Sequence, residues 1–130
     1  KSRTNDTRES PAINICKNLL EEGARLFIHD PKVNSEQIEK ELGQKEITKY
    51  DNEFNECGRW AKINNLNVSF SNADAVIILT EWEEYKEINW ENCSKLMRKP
   101  SWVFDTRSVA NQNEIKNMGI NFWRIGDGTI

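Results

Sequence analysis

Three basic residues crowd the first eight positions of the chain. Lys1, Arg3 and Arg8 precede Ser10-Pro11, where serine can cap a helix and proline suits its first turn. Cations are unfavourable at this end of a helix because the helix dipole is positive there. They become favourable if a phosphate lies between them and the free N–H groups. Arg8 could equally pair with Asp6 or another acidic side chain, so the residues alone leave both interpretations open.

A further cation, Arg107, lies two residues after Asp105, between an apolar strand and a predicted helix. Its planar guanidinium matches the geometry of a phosphate or a carboxylate, which is one interpretation of this residue. A salt bridge with Asp105 or Glu81 would explain the same residue equally well.

Acidic residues also follow two of the apolar segments. Asp30 stands where dinucleotide-binding folds place the acid that binds a ribose hydroxyl. The chain has no G-x-G-x-x-G turn, so a turn or capping role for Asp30 is favoured. Glu81, Glu83 and Glu84 could suggest a metal, but a solvated acidic face is the favoured interpretation, and no metal site is predicted.

The three cysteines do not predict a disulfide framework or a zinc site. Cys16, Cys57 and Cys93 are odd in number and far apart, and His29, the single histidine, has no cysteine near it in sequence. Cys16 and Cys93 fall on apolar helical faces, which predicts small buried hydrophobes. No nucleophile–base pair stands out, so no catalytic residue is predicted and the chain alone is not expected to be a complete enzyme.

Length and composition predict one domain over residues 1–130. Hydrophobic residues make up 37% of the chain and charged residues 30%, and the net charge is −3. The negative charge argues against a nucleic-acid partner. No apolar segment approaches the roughly 18 residues of a membrane span, and no secretory signal is recognised. With reduced thiols, these features predict a soluble cytoplasmic protein.

Apolar periodicity and capping residues predict the elements that would position these side chains. Helices are predicted from Pro11 to before Gly23, over Asn34–Leu42, from Asn89 to before Pro100, and over about 108–117. Strands are predicted at Leu26–Ile28, Leu66–Phe70, Ala75–Leu79, Trp102–Phe104 and Phe122–Ile125. The continuous apolar character of Val76–Leu79 and Val103-Phe104 predicts inner strands. Between Lys45 and Asn65 the chain is polar, and Phe54, Cys57 and Ala61 could form one helical face.

This alternation predicts an α/β fold, a Rossmann-like doubly wound sheet of about four or five mostly parallel strands. A nucleotide-binding βαβ unit begins with a strand, whereas this chain begins with a loop and a helix. We therefore expect the first strand to be lacking and the chain to be a fragment of a longer protein. Ligands bind at the carboxyl ends of such strands, so Lys1, Arg8 and Arg107 should share one rim of the sheet.

Several motifs together resemble one family over essentially the whole chain. The chain is similar to the C-terminal UDP-binding domain of UDP-glucose 6-dehydrogenases, within the UDP-glucose/GDP-mannose dehydrogenase family. The motifs that carry the resemblance occur in order: Lys1 with Thr4, Asp6 to Pro11, Asp30-Pro31, Thr80-Glu81-Trp82, Asp105-x-Arg107 and Ile125-Gly126. The Thr-Glu-Trp motif and the insertion between Lys32 and Leu66 resemble the UDP-glucose branch more than its GDP-mannose relatives.

The resemblance implies a division of labour within a longer enzyme. Enzymes of this kind oxidise UDP-glucose to UDP-glucuronate with two NAD⁺, and an N-terminal Rossmann domain holds the NAD⁺. By resemblance, Lys1 and Arg107 contact the UDP-sugar and Arg8 reaches the NAD⁺ side. The catalytic cysteine and lysine belong to preceding regions, so the partners are the N-terminal and central domains, in a homo-oligomer. Thr106 departs from the family, where glycine is common, and its branched side chain could crowd the ligand.

Three alternatives remain open on the sequence. The chain could be a stand-alone nucleotide-binding module, or a domain of a GDP-mannose or other nucleotide-sugar dehydrogenase. It could also be an interaction domain kept for oligomerisation, in which the cationic residues only form ion pairs.

Overall fold

The structure is a computed structural model that describes residues 11–47 and 58–125. Its helices are α1 (Pro11–Glu21), α2 (Ser35–Leu42), α3 (Leu66–Phe70), α4 (Trp90–Leu96) and α5 (Gln112–Asn117), with a 3₁₀ helix at Glu83–Glu87. Its strands are β1 (Leu26–Ile28), β2 (Trp60–Lys62), β3 (Ala75–Ile78), β4 (Trp102–Asp105) and β5 (Asn121–Arg124). The chain divides into two compact units near Leu66.

Every strand pairing in the described residues is parallel. In the first unit β1 pairs with β2, and in the second unit the strand order is β3-β4-β5. Helices alternate with these strands along the chain, as the connections between parallel strands require. The predicted α/β, Rossmann-like class is confirmed. No described helix has the length and apolar character needed to cross a membrane.

The first unit is built around Trp60. This side chain is fully buried among Leu20, Val33, Ile38 and Leu42. Its indole N–H donates to the carbonyl of Gln44 at 2.9 Å, so the polar end of the ring is satisfied inside the core.

Helix α2 begins and ends where the sequence predicts. The side chain of Asn34 accepts the backbone N–H of Gln37 at 2.8 Å and so caps the first turn. At the other end Gly43 adopts a φ of +71°, a left-handed conformation that glycine reaches without strain.

The second unit has one buried sheet face and one more open face. Val103 and Asp105 of β4 are fully buried, as is Ile115 of α5. Their neighbours Trp102 and Phe104 point to the opposite face, because side chains alternate along a strand. These two rings stack at 5.4 Å, and Trp102 remains 40% exposed.

The predicted strand at Leu66–Phe70 is wrong, because this segment forms helix α3. Its apolar residues have a period of two, but Leu66 and Phe70 are also four apart and share one face of a helix. Phe70 is buried, with its ring 6.3 Å from that of Trp90, whereas Val68 is 42% exposed. So short a segment fits both periods, and packing of Phe70 selects the helix.

The sequence pattern does not predict strand β2. It places Ala61 instead on a possible helical face with Phe54 and Cys57. Phe54 and Cys57 lie outside the described residues. A three-residue strand is too short to show a period of its own, and pairing with β1 defines it. Helix α5 also begins later than expected, because Asn111 caps it after a loop that contains Ser108 at φ +59°.

The prediction of two inner strands is half right. β4 lies between β3 and β5 and is the inner strand of its sheet. β3 is instead an edge strand of the three-stranded sheet, and its Ala75 and Ile77 are exposed.

Two isoleucines of the second unit, one buried and one exposed, provide a matched test of which residues form its core. Ile115→Ala should lower the free energy of unfolding by about 2–5 kcal/mol, because Ile115 is fully buried and its loss leaves a cavity. Ile77→Ala, at a side chain 36% exposed, should lower it by about 1 kcal/mol or less. Urea denaturation measures both, and equal losses would contradict the assigned core.

Candidate functional site

The carboxyl ends of β3, β4 and β5 meet at one edge of the second unit's sheet. Because the three strands are parallel, their last residues are neighbours: Ile78 pairs with Asp105, and Asp105 pairs with Arg124. We call this edge the carboxyl rim. It consists of Glu81 after β3, Asp105 at the end of β4 with the following residues 106–110, and Arg124 of β5. It is where ligands bind in sheets of this kind.

The buried carboxylate of Asp105 organises the carboxyl rim. Its Oδ1 accepts the backbone N–H of Arg107 and its Oδ2 accepts that of Ala110, each at 2.9 Å. Arg124 adds an ion pair, with its Nη2 3.3 Å from Oδ2 of Asp105. Asp105 is fully buried, so these charge-assisted bonds replace its lost hydration. Together they hold the loop of residues 106–110 at both ends.

Thr106 is bonded back to β3. Its backbone N–H and its hydroxyl both donate to the carbonyl of Ile78, at 3.1 and 2.7 Å. The hydroxyl therefore points along the rim to the neighbouring strand. Whether the methyl group crowds a ligand stays a prediction.

The side chain of Arg107 lies on the carboxyl rim in an ion pair. Its Nη2 is 3.3 Å from Oε2 of Glu81, and the two side chains are 35% and 38% exposed. Of the two carboxylates considered from the sequence, Glu81 therefore binds the guanidinium, and Asp105 binds the backbone. A pair this open to solvent contributes only about 0.2–1 kcal/mol, so an anionic ligand could compete with Glu81 for Arg107.

The other predicted ligand-binding residues fall outside the described chain. Lys1 and Arg8 both precede residue 11, so the rim that they were expected to share with Arg107 stays a prediction.

Asp30 performs the turn role that the sequence favoured. Its Oδ1 accepts the backbone N–H groups of Lys32 and Val33, at 2.8 and 3.1 Å. Among residues 11–47 and 58–125, no group of three or more histidines, cysteines and acids could hold a metal ion.

Sequence reasoning missed the role of Arg124. Its side chain is 19% exposed, and besides Asp105 it donates to the carbonyl of Ala110. The available signal was an arginine within the otherwise apolar segment Phe122–Ile125, because a charge in a buried strand needs a specific partner.

Cys93 is buried and Cys16 is partly buried against the apolar core of the first unit. Burial raises the pKa of the Cys16 thiol to about 11. Burial also raises the pKa of the Cys93 thiol to about 12, against a smaller lowering by Lys99. A catalytic thiolate needs the opposite shift, so neither cysteine is suited to nucleophilic chemistry.

Thiol reactivity tests this assignment. In a Cys57→Ser variant, Cys16 and Cys93 should react with Ellman's reagent at about pH 8 far more slowly in the folded chain than in denaturant.

The folded state holds the thiol protons of Cys16 and Cys93 more tightly than the unfolded state. The free energy of unfolding should therefore fall as the pH rises from about 9 towards 11–12. Rapid labelling of the folded chain would contradict the assignment.

Over almost its whole length the chain is similar to proteins of one known family. Residues 1–112 match the family profile described as "UDP-glucose/GDP-mannose dehydrogenase family, UDP binding domain". UDP-glucose 6-dehydrogenase of Bos taurus is 40% identical over 97% of this chain, which covers 25% of that protein. UDP-glucose 6-dehydrogenase 4 of Arabidopsis thaliana is 34% identical over 97% of the chain, which covers 28% of it. The enzyme of Drosophila melanogaster is 35% identical, with 97% and 26% covered.

The chain thus spans about a quarter of the length of these relatives. The profile covers most of the chain, including the carboxyl rim from Glu81 to Ala110. On this evidence the chain belongs to the UDP-glucose/GDP-mannose dehydrogenase family, as its C-terminal UDP-binding domain.

Proposed function

We propose that this domain binds the UDP-sugar in a full-length NAD-dependent UDP-glucose 6-dehydrogenase, which oxidises UDP-glucose to UDP-glucuronate. Arg107 and Lys1 contact the UDP-sugar and Arg8 lies towards the NAD⁺. The observation that carries the proposal is the position of Arg107, a partly exposed cation at the carboxyl ends of parallel strands. The relatives compared above are each named as UDP-glucose 6-dehydrogenases, which favours UDP-glucose over GDP-mannose.

The geometry of the rim suits a diphosphate. The loop that carries Arg107 is held by Asp105, so little backbone freedom is lost when a ligand binds. The guanidinium itself pairs with a partly solvated carboxylate, that of Glu81. A phosphate can take that place with two parallel N–H···O bonds. On binding, Arg107 would exchange Glu81 for the ligand while its backbone stays in position.

By the family resemblance, NAD⁺ is held mainly by the part of the enzyme that lies outside this chain. The chain has no G-x-G-x-x-G turn. Asp30 uses Oδ1 to hold the turn at Lys32 and Val33. The catalytic cysteine and lysine also belong to the part outside this chain, by the family resemblance.

The remaining proposals concern the surroundings of the domain. Its partners are the N-terminal and central domains of the same enzyme, in a homo-oligomer. The location is the cytoplasm, in keeping with the free thiols of Cys16 and Cys93.

Arg107→Ala tests the substrate role in the full-length enzyme. One charge-assisted bond to a phosphate is worth roughly 1.5–3 kcal/mol, so UDP-glucose binding should weaken by about ten- to a hundredfold. Arg8→Ala should instead raise mainly the KM for NAD⁺. Steady-state kinetics with each substrate varied in turn measures both.

Arg98→Ala is the matched control for Arg107→Ala. Arg98 is an arginine of the same unit and also pairs with a carboxylate, Asp74, at 2.9 Å. It follows α4, before the amino end of β4, and it should leave both KM values unchanged. An unchanged UDP-glucose KM in Arg107→Ala would refute the substrate role.

The isolated chain should show no NAD⁺-dependent oxidation of UDP-glucose, because the proposed catalytic residues lie outside it. Production of NADH measures this, and supplying the preceding domains should restore it. Turnover by the isolated chain that a substitution within the chain abolishes would contradict the division of labour.

A further inference from the structure

The guanidinium of Arg124 joins the two ends of the loop that carries Arg107. Its Nη2 lies 3.3 Å from Oδ2 of Asp105, where the loop begins, and donates to the carbonyl of Ala110, where it ends. The cation lies 5.1 Å from the centre of the Phe122 ring, a favourable cation–π distance. A single, partly buried side chain thus spans the whole loop.

Burying this arginine is costly, and its geometry is specific. Its Nε is buried and bonds to no atom of the described residues. Desolvation of a guanidinium and a carboxylate costs several kcal/mol, which their mutual attraction offsets only when both are well placed. Apolar residues in place of both Arg124 and Asp105 would avoid that cost, so stability alone does not explain the pair here.

The loop itself needs external support. Ser108, next to Arg107, has a φ of +59°, which is unfavourable for a residue with a side chain. Such a conformation persists only where the surrounding structure holds it. The bonds from Asp105 and Arg124 supply that support on both sides of Ser108.

We propose that Arg124 is a positioning residue for Arg107, and that it acts through Asp105 and the carbonyl of Ala110. This inference rests on the proposed function, in which Arg107 binds the UDP-sugar. Arg124 itself touches no substrate. It keeps the 106–110 loop in the one arrangement that presents the guanidinium of Arg107 along the carboxyl rim.

The test is a double-mutant cycle in the full-length enzyme. Arg124→Met should raise the KM for UDP-glucose by about three- to tenfold, because the loop then samples arrangements in which Arg107 cannot bind. The KM for NAD⁺ and kcat should stay within about twofold of the parent enzyme. In an Arg107→Ala background, Arg124→Met should add no further change in KM, since the side chain it positions is absent.

The surface pair Arg98–Asp74 again provides the control. Its side chains are 58% and 67% exposed, and Arg98→Met should change neither KM. Amide hydrogen exchange gives a readout that does not depend on activity. Arg124→Met should speed exchange in residues 106–110, whose Arg107 and Ala110 amides donate to Asp105, more than in α5. If Arg124→Met does not fold, Arg124→Lys replaces it in the same cycle.

Two results would overturn the positioning role. One is an equal rise in KM for UDP-glucose in both backgrounds, which would show that Arg124 acts independently of Arg107. The other is a loss of thermal stability with no change in KM, which would show a purely structural role. If Arg107→Ala alone leaves the KM for UDP-glucose unchanged, the substrate role of Arg107 is wrong, whatever Arg124→Met does. Failure of the substrate role and failure of the positioning role therefore give different results.

Discussion

The arrangement of the carboxyl rim depends on one buried carboxylate at the end of an inner strand. Asp105 receives N–H groups from Arg107 and Ala110 and an ion pair from Arg124. These donors come from the loop after β4 and from the end of β5. A buried carboxylate needs such donors, and its bonds to them hold the loop of residues 106–110 in position. The position of Arg107 is one consequence.

The rim combines a fixed backbone with a less constrained side chain. The N–H of Arg107 bonds to a fully buried carboxylate, whereas its guanidinium pairs with Glu81 at a half-exposed surface. Low dielectric strengthens the first interaction and solvent screens the second. An arrangement of this kind places a cation accurately and leaves it available to an anionic ligand.

The two described cysteines of the domain are not suited to covalent catalysis. Cys16 and Cys93 pack as hydrophobes, and their thiols are harder to ionise than a free thiol. The family to which the domain belongs is one of dehydrogenases, and this chain matches about a quarter of the length of its relatives. The proposed function assigns binding of the UDP-sugar to this domain and the NAD⁺-dependent oxidation to the remainder of the enzyme.

Local signals in the sequence determined much of the fold. Asn34 and Asn89 cap helices through bonds to residues three positions away, so a short stretch of chain is enough to predict them. The apolar segment Trp102–Phe104 also predicts a strand from a short stretch of chain. Its position between two other strands does not follow from apolar character alone, because the equally apolar β3 is an edge strand. The motifs likewise predicted the family, and the expectation that Arg107 lies at a strand end.

Tertiary structure decided the features that depend on residues distant in sequence. The helix at Leu66–Phe70 follows from the packing of Phe70, and β2 exists because it pairs with β1. Glu81 was one of two carboxylates that could pair with Arg107, and the parallel pairing of β3 with β4 selected it. Arg124 is 17 positions beyond Arg107, and only the adjacency of β4 and β5 brings its charge to Asp105. Bonds between residues close in sequence can be predicted from the sequence. Burial and charge pairing depend instead on which strands become neighbours in the fold.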